Sequence, residues 1–110
     1  MLFRSCVQAI ESVHADVCFL GTSGISERKG PTTHSYQELE AKKAMIRQSE
    51  RIYVLADSDK FQESGFHTLC SWEEIDGIIT DASLSARAYE HYEKQVPIWM
   101  AQEDGYEENR

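Results

Sequence analysis

Four short apolar runs, each stopping abruptly in small or polar residues, constrain this chain more than any other feature. They are residues 17–20 (Val-Cys-Phe-Leu), 52–56 (Ile-Tyr-Val-Leu-Ala), 77–80 (Gly-Ile-Ile-Thr) and 96–100 (Val-Pro-Ile-Trp-Met). Runs of this length and β-branched content read as strands buried in a sheet. Between them lie stretches of helical character. Leu2, Phe3, Cys6, Val7, Ile10 and Val13 recur at helical spacing and predict an amphipathic helix over 2–14. Ser35-Tyr-Gln-Glu38 is a capping-box pattern, with Ser35 accepting from the Glu38 amide and Glu38 reaching back, and it opens a second helix to about residue 49. Ser83 is read as the cap of a third helix, with Leu84, Ala88 and Tyr92 on one face. Residues 66–70 read as a minor strand and 72–76 as a single helical turn. Strands alternating with helices predict an α/β fold with a parallel sheet and right-handed crossovers.

The strand ends carry the chemistry. In an open α/β sheet, ligands bind just past the carboxyl ends of the strands. The first run leads into Gly21-Thr22-Ser23-Gly24, whose amides and hydroxyls allow close approach of a polyol. The second leads into Asp57-Ser58-Asp59-Lys60, where Lys60 can hold a phosphate or sugar oxygen while Asp57 holds its charge. Glu38 can accept from sugar hydroxyls, although its capping role explains it equally well. Lys42 and Lys43 read as a solvated helix face from which one ammonium can reach the pocket. Asp81 ends the third strand and reads as a cap. Residues 26–34, polar and broken by Gly30-Pro31, read as a loop that closes over a site.

Bulk properties exclude several classes. A net charge of −8 over 110 residues is wrong for direct nucleic-acid binding, which needs a basic surface. No apolar run approaches the roughly 18 residues of a membrane span, and the amino terminus lacks a signal peptide's apolar core. The three cysteines show no metal-ligand spacing. Cys6 and Cys18 are expected as small core hydrophobes in a reducing cytoplasm, and the four scattered histidines predict no metal site. Trp72 and Trp99 read as packing residues, with a partner chain as the alternative neighbour of Trp99. With only about four strands, one sheet edge is left unpaired, as in the second half of a larger domain.

Four motifs together resemble the effector-sensing domain of the DeoR/GlpR family of transcriptional repressors. They are Ala15-Asp-Val-Cys-Phe-Leu-Gly-Thr-Ser-Gly-Ile25, Tyr36-Gln-Glu-Leu-Glu-Ala-Lys-Lys-Ala-Met-Ile46, Leu55-Ala-Asp-Ser-Asp-Lys-Phe61 and Ile75-Asp-Gly-Ile-Ile-Thr-Asp81. The resemblance implies a three-layer, mostly parallel sheet with flanking helices, similar to part of the ribose-5-phosphate isomerase/CoA transferase-like fold. It implies a sensor of a phosphorylated sugar or sugar alcohol, without catalysis or cofactor, working as a homo-oligomer in the cytoplasm. The implied ligand-binding residues are Gly21, Thr22, Ser23, Gly24, Glu38, Asp57 and Lys60. DNA would be bound only through a helix-turn-helix, which these residues do not contain; nor do they contain the earlier, phosphate-cradling part of such a sensor. Residues 1–101 are thus read as a partial sensor domain and 102–110 as an acidic tail. Two alternatives stand beside this reading: a sugar-phosphate isomerase with Glu38 as base and Lys60 stabilising an enediolate, and an oligomerisation module without ligand.

Overall fold

The computed structural model describes residues 2–101, with side chains from Arg4 onward; the acidic tail 102–110 and the side chains of Leu2 and Phe3 lie outside the described residues. Strand β1 (Ala15–Gly21) follows helix α1 (Leu2–Glu11). Next come β2 (Gly24–Ser26), β3 (Gly30–Thr33), α2 (Tyr36–Arg47) and β4 (Ser49–Leu55). The chain continues through a 3-10 turn (Ser58–Gln62), β5 (His67–Thr68), a second 3-10 turn (Trp72–Glu74), β6 (Gly77–Asp81), α3 (Ala86–Tyr92) and β7 (Ile98–Ala101).

The four expected strands form one parallel sheet in the order β1-β4-β6-β7, as the strand–helix alternation requires. Its register aligns Cys18 with Ile52 and Val54 with Ile78, which stack with Leu20 and Ile98 into the core. From α2, Leu39 is buried and Met45 and Ile46 are partly buried against this face. From the α3 side come Leu84 and Tyr92, with Phe61 set edge-on to the Tyr92 ring at 5.1 Å between centroids. Fully burying one such aliphatic or aromatic side chain contributes about 1.5–3 kcal/mol. These contacts therefore outweigh the weak intrinsic preferences of the short helices.

Among the described residues, the opposite face of the sheet is open. Val17, Phe19, Leu55 and Trp99 are 40%, 57%, 43% and 50% exposed, and all lie on that face by register. β1 pairs with β4 alone among the described strands, so the expected unpaired edge is present.

Several local expectations are corrected. The stretch 26–34 is not an irregular loop. It forms the hairpin of β2 and β3, joined by β5 into a second, antiparallel sheet of three strands. Pro31 is tolerated there because it needs only its carbonyl, which accepts from the Leu69 amide at 2.9 Å. Gly30, at φ +83°, makes the turn that a non-glycine residue would resist. Helix α1 ends at Glu11, three residues early, and Cys6 on it is exposed rather than in the core. Among the described residues nothing buries Cys6, whereas Cys18 and Cys70 are buried as small hydrophobes. Ser85, not Ser83, caps α3, accepting from the Ala88 amide at 3.1 Å. Ser35 caps α2 as expected, but the Glu38 carboxylate turns away to Lys42 Nζ at 3.4 Å instead of reaching back.

Candidate functional site

The carboxyl ends of β1, β4 and β6 converge on a cleft of about 430 Å3. It is lined by Gly21 at the end of β1 and Thr22 after it, Leu55 at the end of β4 with Ala56, Asp57 and Lys60 after it, Ile79 to Asp81 of β6, and Ala101 of β7. A volume of that size lies within the range of small-molecule sites. The site exists because three parallel strands end at one level, so the residues immediately after each apolar run meet there.

Asp81 fixes the shape of the cleft. One oxygen of its carboxylate accepts from the Ser58 amide at 2.8 Å and the other from the Ser83 amide at 2.9 Å. These bonds, Ser58 first, hold the Asp81 carboxyl below its ordinary range. The segment carrying Asp57 and Lys60 is thereby tied to the end of β6, and the Ala56 amide adds a bond to the Ile79 carbonyl at 3.1 Å. Asp81 acts as a clamp on the backbone and does not cap α3, which starts five residues later.

Asp57 and Lys60 form no ion pair, contrary to expectation. The 3-10 turn joins them through the backbone, Lys60 N–H donating to the Asp57 carbonyl at 2.9 Å. The Lys60 ammonium is thus not neutralised by Asp57.

Of the residues named from sequence, Gly21, Thr22, Asp57 and Lys60 are brought together around the cleft, while Ser23, Gly24 and Glu38 are not among its lining. The Thr22 hydroxyl lies 2.6 Å from the Thr32 carbonyl and 2.9 Å from that of Gly24, and accepts from the Thr32 amide at 3.0 Å. Its hydrogen is spent on the β2–β3 hairpin. Gly24 is buried in β2, where an added Cβ would lie 2.5 Å from the Glu63 carbonyl oxygen. Ser23 donates its amide to the Thr32 carbonyl at 2.9 Å. Glu38 is exposed and shares Lys42.

Lys42 itself donates to the Gly21 carbonyl at 2.9 Å, so the helix does supply an ammonium at the rim of the cleft. A contact spanning 21 residues left no local trace in the sequence; the only hint was the Glu38–Lys42 spacing of one helical turn.

Two other arrangements compete for attention. A larger cleft of about 1050 Å3 lies between the second half of α2, the β2–β3 turn and the stretch 68–74. Its lining mixes the cations Arg28, Lys29, Lys43 and Arg47 with the carboxylates Glu27, Glu73 and Glu74, and Arg47 is already paired with Glu11 at 2.9 Å. It lies away from the strand ends and lacks a buried polar anchor, so we place the site in the smaller cleft. His14, Asp16 and Glu50 bring three potential ligand atoms within 4.8 Å of one another across β1 and β4. All three are exposed, and His14 Nε2 sits 2.9 Å from Glu50 Oε2, an arrangement that an ordinary surface ion pair accounts for. The histidines were separate along the sequence, and this grouping arises only from strand pairing.

The chosen cleft has two carboxylates and one ammonium in its lining but no histidine or thiol. Lys60, with Lys42 at the rim, can meet an anionic group and Asp57 can accept from hydroxyls, and the lining contains no nucleophile paired with a base. Fold and cleft together define an α/β domain with a candidate small-ligand site at its strand ends.

Residues 3–82 match the DeoR C terminal sensor domain, and the chain belongs to that family. Relatives include the HTH-type transcriptional repressor GlcR of Bacillus subtilis (strain 168), 34% identical over 77 residues, which are 70% of this chain and 30% of GlcR. The HTH-type transcriptional regulator GlpR of Haloferax volcanii is 33% identical over 84 residues, 76% of this chain and 33% of GlpR. The regulator GolR of Listeria innocua is 27% identical over 94 residues, 84% of this chain and 37% of GolR. The chain thus spans about a third of the length of these relatives. The relatives are transcriptional regulators and the domain is a sensor, not an enzyme, which overturns the isomerase alternative. No helix among the described residues is long and apolar enough to cross a membrane.

Proposed function

We propose that the chain is the effector-binding part of a DeoR-family regulator of sugar metabolism, and that its effector is a phosphorylated sugar or sugar alcohol. One observation carries this reading: Gly21, Thr22, Asp57 and Lys60 converge at the carboxyl ends of adjacent parallel strands, with the Lys60 ammonium unpaired by Asp57. Lys60 binds a phosphate or hydroxyl oxygen of the effector, Asp57 accepts from its hydroxyls, and the backbone at Gly21 permits close approach. An added Cβ at Gly21 would meet nothing within 4 Å, so the approach there is open.

The regulatory consequence follows from linkage. An effector that binds more tightly to the state with poor operator affinity shifts the population toward that state and releases DNA. DNA contact belongs to a helix-turn-helix outside residues 1–110, so the acidic charge of this part is no obstacle. Such a regulator acts in the cytoplasm, as a homo-oligomer. The intact sensor is a three-layer fold resembling the ribose-5-phosphate isomerase/CoA transferase-like architecture, and these residues make only part of it, with one face of the sheet left uncovered.

The test is a thermal-shift screen of sugar phosphates beside the matching free sugars. A ligand at 100 times its dissociation constant stabilises by about 2.7 kcal/mol, roughly 10 °C or more for a domain of this size. Stabilisation by a phosphorylated compound alone, lost in Lys60→Ala, supports the reading. Equal stabilisation by a free sugar, or retention in Lys60→Ala, contradicts it.

A further inference from the structure

Thr80 immediately precedes Asp81 at the end of β6, on the face of the strand that carries Ile78 into the core, and it is 4% exposed. A β-branched residue suits that place in a strand, and valine would fill it with the same shape. Threonine adds a hydroxyl, and this hydroxyl has no hydrogen-bond partner among the described residues. A buried hydroxyl left unpaired weakens a fold, so its presence calls for a partner that the protein itself does not supply. Thr80 also belongs to the lining of the strand-end cleft. Other polar side chains there are already committed. The Thr22 hydroxyl serves the β2–β3 hairpin, and the Asp81 carboxylate holds the amides of Ser58 and Ser83. Asp57 offers a charged acceptor and Lys60 a charged donor. Thr80 adds the neutral group that can do either.

We infer that Thr80 is a specificity-determining residue of this cleft, its hydroxyl pairing with a hydroxyl of the effector. The inference rests on the sugar-phosphate reading above and narrows it. An effector that meets Lys60 with its phosphate and Asp57 with one hydroxyl meets Thr80 with another. The class is therefore phosphorylated sugars or sugar alcohols with at least two free hydroxyls, and the deoxy analogue that lacks the hydroxyl facing Thr80 is rejected. A site built to hydrogen-bond a hydroxyl discriminates in this way because its own polar group is otherwise left unpaired. The hydroxyl is within reach of such a role. Hydroxyl and methyl of a threonine exchange places by one step of χ1 between staggered positions, and they are close in size. Thr80 can thus turn its hydroxyl to the cleft at little cost in volume. The unpaired state then belongs to the ligand-free protein, which gives up some stability so that the bound state gains a partner.

The experiment measures dissociation constants by calorimetry for the parent chain, Thr80→Val, Thr80→Ser and Lys60→Ala. The probe is whichever of ribose-5-phosphate, glucose-6-phosphate, fructose-6-phosphate and sorbitol-6-phosphate gives the largest thermal shift, together with each of its monodeoxy analogues. Without probe, Thr80→Val should be at least as stable as the parent. It should nevertheless bind the probe about tenfold more weakly, the worth of one hydrogen bond. Thr80→Ser keeps the hydroxyl and should stay within about threefold of the parent. One monodeoxy analogue should bind the parent about tenfold more weakly than the probe does, and in Thr80→Val that ratio should fall to near one. Parent-like binding by Thr80→Val overturns the inference. So does a loss of stability in probe-free Thr80→Val, which would give the hydroxyl a resident partner, or an equal weakening of every analogue, which would make its role structural. If binding is abolished in Lys60→Ala while Thr80→Val binds normally, the sugar-phosphate reading stands and the Thr80 inference alone falls. No shift with any of the compounds overturns both.

Discussion

Asp81 Oδ2 accepts the backbone N–H of Ser58 at 2.8 Å, joining the end of β6 to the turn that presents Lys60. With its second oxygen on the Ser83 amide at 2.9 Å, the carboxylate serves two donors that no single neutral group can serve alike. Asp81→Asn offers one acceptor and points an N–H2 at the other amide. The melting temperature should drop by a few degrees, and effector affinity should fall with Lys60 no longer held in place. Because the folded-state carboxyl lies below its ordinary 3.8, the stability it contributes is present above that value and is lost as pH falls through the folded pKa. Acid melts below pH 4 should therefore be less steep in Asp81→Asn than in the parent.

The hydroxyl of Thr80 is buried with no hydrogen-bond partner among the described residues, in a residue 4% exposed. An unsatisfied buried hydroxyl costs about 1–3 kcal/mol, and valine has the same shape without it. Thr80→Val should raise stability in urea by about 1 kcal/mol. A loss of stability would mean that the hydroxyl has a partner in solution.

The three cysteines should separate by reactivity. Cys6 is exposed and should react with a thiol reagent in the native protein, whereas Cys18 and Cys70 should react only on unfolding. Burial, reinforced by Glu74, pushes the Cys70 thiol from 9.0 up to about 12. The fold thus keeps a proton that the unfolded chain releases. Stability from this group is complete below pH 9 and declines as pH rises from there toward 12. Cys70→Ala should flatten the alkaline limb of a pH–stability curve; an unchanged limb would contradict the assignment.

Gly24 and Gly30 are fixed by space and by backbone angle respectively. Gly24→Ala drives a Cβ to 2.5 Å from the Glu63 carbonyl oxygen, a backbone atom that cannot step aside. Gly30→Ala holds alanine at φ +83° and 2.9 Å from the Cys70 carbonyl oxygen. Each should cost about 1–3 kcal/mol in urea denaturation. Gly21→Ala, with open space around its Cβ, should cost much less and should act mainly on effector affinity.

The main sheet was legible because its strands are apolar runs with sharp ends, and the order of strands and helices leaves few topologies; that only one face of it is buried was not legible. The second sheet was not. Gly30-Pro31 reads as a breaker, and the pairing of β3 with β5 joins Thr32 to Thr68 across 36 positions, a relationship with no local signature. Cys6 misled for a related reason: helical periodicity gives α1 an apolar stripe but does not say whether a layer covers it. That Gly21, Thr22, Asp57 and Lys60 line one cleft is what the rule for strand ends leads one to expect. The Asp81 clamp did not, because a carboxylate after a strand looks the same whether it caps a helix, binds a ligand or holds a neighbouring turn.

The most direct measurement is a 15N–1H chemical-shift titration of residues 1–110 with the sugar phosphate that gives the largest thermal shift. The account predicts saturable changes centred on the amides of Gly21, Thr22, Ala56 to Lys60 and Asp81, abolished in Lys60→Ala. Changes centred instead on Arg28, Lys43 and Trp72 would place the ligand in the larger cleft and contradict the proposed site.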